Sequence, residues 1–394
     1  MTEIRHTAGL FQIAAAALAA VFLASCSSTD IRQGPAGEQA VSADMVIGAS
    51  PLAMGITAAD IAPGNILDVS PEMAAFLDEH VDRDGSQNER LAQLILAVIG
   101  GDRFRLAYDG STRTAQGTFD NRRGNCISFT NMFVAMARNV GLKASYQEVD
   151  IPPDWSMTGE LFLLSKHVNA LVELKNALPR VVDFNTVDYD VNSDMHVVTD
   201  QRARAHYFNN IGVEHLLAGE TRLAYANLRQ SLNEDETFGS AWVNLGILHR
   251  REGYPAYAEA AFLKALDYDE SDLMAMSNLA SLYEDQGRIK EADYYLSKVK
   301  AHRMKNPYYH YQLASTAFNE GDYKEAIGEL KTAISQRSDD DRFYYLLSLS
   351  YLMSGDKKRA NHWMKKAEEV AQQSESQKKY RHKLELMRNL QNGS

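Results

Sequence analysis

The chain of 394 residues is 45% hydrophobic, 24% charged and 9% aromatic, with 52 acidic residues against 41 basic ones and a formal net charge of −11. Its length accommodates two domains with real cores, and its apolar share excludes wholesale disorder. The acidic balance argues against a nucleic-acid partner, which needs a basic footprint, and two cysteines are too few for a disulfide scaffold.

Leu10 to Ala24 is apolar except for Gln12. At ~1.5 Å per residue the run is short for a bilayer span and suits the apolar region of a secretory signal. It leads into Leu23-Ala24-Ser25-Cys26, which resembles the lipobox of bacterial lipoproteins. The resemblance implies a signal peptide over 1–25, a diacylglyceryl group on Cys26 and a membrane partner reached through that anchor. With Ser27 rather than Asp next, it also implies an envelope protein at the outer membrane, facing the periplasm. The stretch after Cys26, rich in Ser, Ala, Gly and Gln without sustained periodicity, predicts a flexible tether over 26–69. Acylation of Cys26 would leave Cys126 with no partner for an intrachain disulfide.

Residues 70–202 mix two periods. Ser70-Pro71-Glu72 predicts a capped helix start, and Ser86 with Glu89 predicts a capping box ahead of a helix that Gly100-Gly101 stops. A third helix is expected from Cys126 to Val140, ended by Gly141. Alternation then predicts strands over Lys143–Asp150, His167–Leu174 and Arg180–Asn185. Helices followed by an antiparallel sheet define an α+β arrangement.

Three segments carry chemistry in that order. Arg123-Gly124-Asn125-Cys126 opens a helix that runs to Ala137-Arg138-Asn139-Val140-Gly141-Leu142. Lys166-His167-Val168-Asn169-Ala170 opens one strand, and Arg180-Val181-Val182-Asp183-Phe184 forms another. Cysteine and histidine are 41 residues apart, histidine and aspartate 16. Together these segments resemble the nucleophile helix, histidine strand and aspartate strand of the transglutaminase-like (papain-like) superfamily. The resemblance implies a catalytic set of Cys126, His167 and Asp183, with no cofactor and no metal. A cysteine at a helix N-terminus faces the positive end of the macrodipole, which favours thiolate. An imidazole can take its proton, and a carboxylate can orient that imidazole. The Cys126 backbone N–H would supply one oxyanion donor; Asn125 and Tyr108 are the candidates for a second. Many cross-linking members carry Trp after the cysteine and shortly after the histidine, where this chain has Ile127 and Val168-Asn169-Ala170. That favours hydrolysis of an amide over cross-linking. Asp188, Asp190, Asn192 and Asp194 have the alternation of a calcium loop, but Ser193 and Thr199 stand where Gly and Glu are needed, so a polar loop is expected.

From residue 203 the chain repeats. Gly219, Gly253, Gly287, Gly321 and Gly355 recur every 34 residues, as do Ala224, Ala258, Ala292, Ala326 and Ala360. A third track holds Phe208, Trp242, Met276, His310 and Tyr344. The period and residues resemble the tetratricopeptide repeat, which implies five helix–turn–helix units over 203–374 in an all-α solenoid, closed by a capping helix over 375–394. It also implies a protein or peptide partner in the groove lined by the first helix of each pair. Tyr308, Tyr311 and Phe318 are either the contact patch for that partner or packing between repeats. Arg250 and Arg251 are expected to pair with Glu284 and Asp285. The whole reads as an envelope lipoprotein carrying a cysteine-dependent amide hydrolase or transamidase domain and a partner-binding solenoid. The alternative is a non-catalytic assembly scaffold with a relic of the first domain.

Overall fold

A computed structural model describes residues 41–100, 104–149, 167–184, 195–371, 377–378 and 380–384. The signal-like run, the lipobox-like Cys26 and the candidate calcium loop at Asp188–Asp194 lie outside them. Among the described residues no helix is long and apolar enough to cross a membrane.

The expected tether is, from residue 41 on, an ordered strap. A short helix α1 (Ala43–Gly48) and two single turns at Pro51–Ala53 and Ala58–Asp60 carry it. Val46 is buried in the solenoid core, with Val41, Ile47, Leu52 and Ile56 packed beside it. Further on, Ile66 is buried in the other domain, with Ile61 and Val69 against it. Tyr225 donates its hydroxyl to the Val46 and Ile47 carbonyls at 2.8 and 2.7 Å. The Asn227 amide takes Ala62 N–H and gives to the Asp60 carbonyl. Elements this short leave no periodicity, so the anchoring apolar residues look scattered in sequence.

The first domain follows the capping signals. Helix α2 (Pro71–His80) begins at Ser70, whose hydroxyl accepts from Met73 N–H, and α3 (Gln87–Val98) begins with the Ser86/Glu89 box. Next come β1 (Ala107–Tyr108), α4 (Ala115–Asn121) and β2 (Arg123–Gly124), which the sequence did not predict; β1 and β2 form a small parallel pair. Helix α5 (Cys126–Asn139) is central and buried almost all round. A sheet of β3 (Lys143–Val149), β4 (His167–Glu173), β5 (Arg180–Val182) and β6 (Met195–Val198), ordered β5-β4-β3-β6, is antiparallel throughout. Ala144, Tyr146, Val168, Ala170, Val172 and Val182 from its alternating pattern join Met132, Phe133 and Met136 of α5 in one core. Strand β6 was also unforeseen; it follows the polar stretch.

Helix α6 (Asp200–Ala218) crosses the expected boundary at 202/203 without a break. Its Ala203, Tyr207 and Phe208 belong to the first domain's core, while Ala205 and Leu216 belong to the solenoid's. It is the first of five antiparallel pairs: α6 with α7 (Thr221–Glu234), α8 (Gly239–Arg251) with α9 (Pro255–Tyr268), α10 (Leu273–Asp285) with α11 (Ile289–Arg303), α12 (Pro307–Glu320) with α13 (Tyr323–Gln336), and α14 (Asp341–Met353) with α15 (Lys357–Val370). The five turn glycines hold φ between +70° and +90°, the left-handed region where a side chain is strained. The five small alanines are all buried. Tyr380 and Leu384 are buried in the core of the last repeats. Arg250 pairs with Asp285 at 2.5 Å, whereas Arg251 donates to the Leu216 carbonyl instead of meeting Glu284.

The two domains are fastened by charge as well as by packing. Glu148 on β3, 1% exposed, accepts from His206 and Arg202 of α6 at 2.7 Å each, and Arg202 reaches Asp235 at 3.0 Å. Burial alone would raise the Glu148 carboxyl, but His206 and Arg202 hold it well below the carboxylate range. Removing one member of such a group strands the others without water. Glu148→Ala is therefore expected to cost about 3–5 kcal/mol. Urea unfolding followed by probes in each domain should shift in both; a shift confined to one would show that the cluster does not join them.

Candidate active site

Cys126 is the first residue of α5, so its backbone N–H has no partner within the helix. Asn125 caps that helix: its side-chain oxygen accepts from Ser128 N–H at 3.1 Å and from the Ser128 hydroxyl at 2.8 Å. Its amide nitrogen donates to Thr112 Oγ1 at 2.7 Å. Both ends of Asn125 thus help to hold the helix start, and its amide nitrogen keeps a second hydrogen. Gly124 is needed for closeness, because a Cβ there would stand 2.5 Å from Ser128 Cβ. The turn into the nucleophile helix can be this tight only without a side chain.

The partners come from the sheet. His167 opens β4, and its Nε2 lies 2.8 Å from both oxygens of Asp183. An ionised carboxylate only accepts, so Nε2 carries the hydrogen, and Nδ1 is the nitrogen left for the Cys126 sulfur, which is within hydrogen-bonding reach of the ring. Burial pulls the His167 pKa down, but the Asp183 carboxylate and the Cys126 sulfur outweigh it and raise it to about 9. Asn169, two residues along the same strand face, donates to Asp183 Oδ2 at 3.0 Å. Thr130 links helix to strand, donating to the Val168 carbonyl at 3.1 Å and to that of Cys126 at 2.9 Å.

The expected residues Cys126, His167 and Asp183 therefore come together. Asn169 and Thr130 were not foreseen; alternation along β4, which puts Asn169 on the His167 face, was the available signal. Tyr108 stands at the mouth with 59% of its surface exposed, and its phenol pKa is raised by burial first and then by Cys126 and Asp109. With Asn125 it is a candidate for the second donor.

Tyr308, Tyr311 and Phe318 in the solenoid are each half-buried. The first two rings pack on Phe343 at 5.6 and 5.3 Å, and Phe318 meets Tyr323 at 5.5 Å. Most of that aromatic surface thus serves packing within and between neighbouring repeats.

A helix-borne thiol facing a strand-borne imidazole and carboxylate is the constellation of a papain-like cysteine domain, here continuous with a helical-repeat solenoid. Residues 75–208 match the transglutaminase-like superfamily, and residues 243–302 and 311–374 match the tetratricopeptide repeat. The chain carries a transglutaminase-like domain followed by tetratricopeptide repeats. No curated protein matches it. Among solved structures it is similar to MamA (22% identity, over 42% of this chain and 91% of that one, TM-score 0.24). It is also similar to YrrB, described as a repeat protein with an unusual peptide-binding site (17%, 45% and 92%, TM-score 0.24). A third is pilF of Pseudomonas aeruginosa (16%, 50% and 96%, TM-score 0.26).

The raised histidine makes a signed prediction. A group whose pKa is higher folded than unfolded adds stability that is full below its ordinary value of 6.5 and is lost as pH rises through about 9. The stability gap between wild type and Asp183→Asn, measured by urea unfolding, should be widest in the acidic part of that range and shrink above about 9. A gap that grows with pH would contradict the ion-pair assignment.

Proposed function

We propose that the chain is a lipid-anchored envelope protein whose Cys126 opens amide bonds in a partner brought to it by the solenoid. The transglutaminase-like domain and the repeats support a protein-interaction scaffold in any case. The observation that carries the catalytic reading is the bonding of His167: Nε2 is held by Asp183, which leaves Nδ1 for the sulfur. In the proposed cycle His167 takes the Cys126 thiol proton as the sulfur bonds to the amide carbonyl carbon, and the carbonyl oxygen takes up negative charge beside the Cys126 N–H. As the C–N bond breaks, His167 gives its proton to the leaving amine. Water then attacks the thioester, passing its proton to His167, and releases the acid and the free thiol. The absence of Trp beside Cys126 and His167 favours water over an amine as acceptor. The lipobox-like Leu23-Ala24-Ser25-Cys26 supports the anchor and a periplasm-facing outer-membrane location.

Two experiments test this reading. Cys126 should react with iodoacetamide faster than a free peptide thiol at neutral pH, and His167→Ala should slow it by about 10-fold or more, because the thiolate is the nucleophile. Labelling no faster than a peptide thiol, in both proteins alike, would leave only the scaffold. For the anchor, Cys26→Ala should move the protein from the membrane fraction to the soluble one. A wild-type protein that is soluble without detergent would contradict anchoring.

A further inference from the structure

The solenoid satisfies most of its arginines internally. Arg202, Arg204, Arg250, Arg288, Arg337 and Arg342 all pair with carboxylates of the same chain. One place departs from this economy. Between α13 and the α14–α15 turn, a cleft of about 710 Å³ is ringed by Lys324, Lys331, Lys357, Lys358 and Arg359. Asp356 is the only acid in its wall, and it is engaged by Arg359 at 2.6 Å. Lys324, Lys331 and Lys358 have no ion pair among the described residues, and all three are exposed. Ile327 and Tyr351 line the depression beside them, and it is open to solvent. Their compensation within the fold is weak: Lys331 lies 5.9 Å from the centre of the Tyr351 ring, and Lys358 shares Asp356 with Arg359. A chain of net charge −11 does not collect such a patch as a by-product of being basic.

We infer that this cleft binds an acidic segment of a partner protein, through Asp or Glu side chains. The inference rests on the reading of the solenoid as a recruiting module and names the chemistry it recruits. Most of the cations are point charges on flexible stems, and the one guanidinium spends its Nε on Asp356, so the patch matches a run of separate carboxylates better than a single phosphate. Lys324 and Lys331 lie seven residues apart on one helix face, ~10 Å at ~1.5 Å per residue. Three residues of a polyproline-II chain cover that distance at ~3.1 Å each, and its three-residue turn brings those side chains to one face. The preferred ligand therefore carries carboxylates three residues apart. The cleft lies against α13 and α15, the second helices of their pairs, and so is separate from the Tyr308, Tyr311 and Phe318 patch on α12.

The test uses the full chain and a fluorescein-labelled peptide, Glu-Ser-Ser-Glu-Ser-Ser-Glu, followed by anisotropy. Lys324→Ala/Lys331→Ala/Lys358→Ala should weaken binding at least about tenfold. The Gln version of the peptide should not bind, and affinity for the acidic one should fall with added salt. Lys324→Glu/Lys331→Glu/Lys358→Glu should instead take up the corresponding Lys peptide; because these side chains are exposed, it is expected to fold. Equal binding by wild type and the alanine variant, or equal binding of the Gln peptide, would overturn the proposal. So would phosphatidylglycerol vesicles that bind through these lysines while the peptide does not. If a partner co-purifies equally with wild type and the alanine variant, the cleft assignment fails while the recruiting solenoid stands.

Discussion

Much of the structure depends on one helix shared between two cores. Helix α6 closes the core of the cysteine domain with Tyr207 and Phe208 and opens the solenoid with Ala205 and Leu216. Its His206 and Arg202 neutralise Glu148 in the wall between the two. A buried carboxylate tolerates neither the loss of its partners nor a shift that exposes it, so the sheet and the first repeat hold a fixed relation. The strap adds a second fastening, since its early residues pack on the solenoid and its later ones on the cysteine domain. A solenoid joined by a loose linker would leave partner and thiol to find each other. Here the first repeat is part of the thiol's own domain.

That union reaches the reactive centre through few bonds. Glu214, farther along α6, accepts Thr112 N–H at 2.7 Å, and Thr112 Oγ1 accepts from the Asn125 cap of the nucleophile helix. Burial raises the Glu214 carboxyl against the opposing pull of Thr112. At the centre itself, charge and geometry agree. Asp183 fixes which imidazole nitrogen carries hydrogen, Asn169 fixes Asp183, and Thr130 ties the histidine strand to the cysteine helix.

The parts legible in the sequence were those with a rule of spacing. The 34-residue register placed every turn glycine and small alanine, because each repeat solves the same packing problem. The cysteine helix and the three predicted strands were found to within a few residues, because capping and alternation are local. The strap was not legible: its helices are too short to show a period, and its anchoring residues are set by surfaces far along the chain, such as Tyr225 and Asn227. The two-residue strands β1 and β2 escaped for the same reason. The capping role of Asn125 is decided by Thr112 and Ser128, contacts that only the fold creates. The shared helix was hidden by its own success, since a helix buried on several sides presents no amphipathic stripe.

A cysteine hydrolase must pass through a covalent acyl bond on Cys126. Purified protein exposed to envelope peptides, quenched in acid and digested, should yield a Cys126 peptide with an added acyl mass. That mass should be removed by hydroxylamine, and it should persist longer in Asp183→Asn, where water is activated less well. No adduct in either protein, with Cys126 recovered as free thiol throughout, would contradict the enzyme and leave the scaffold as the function.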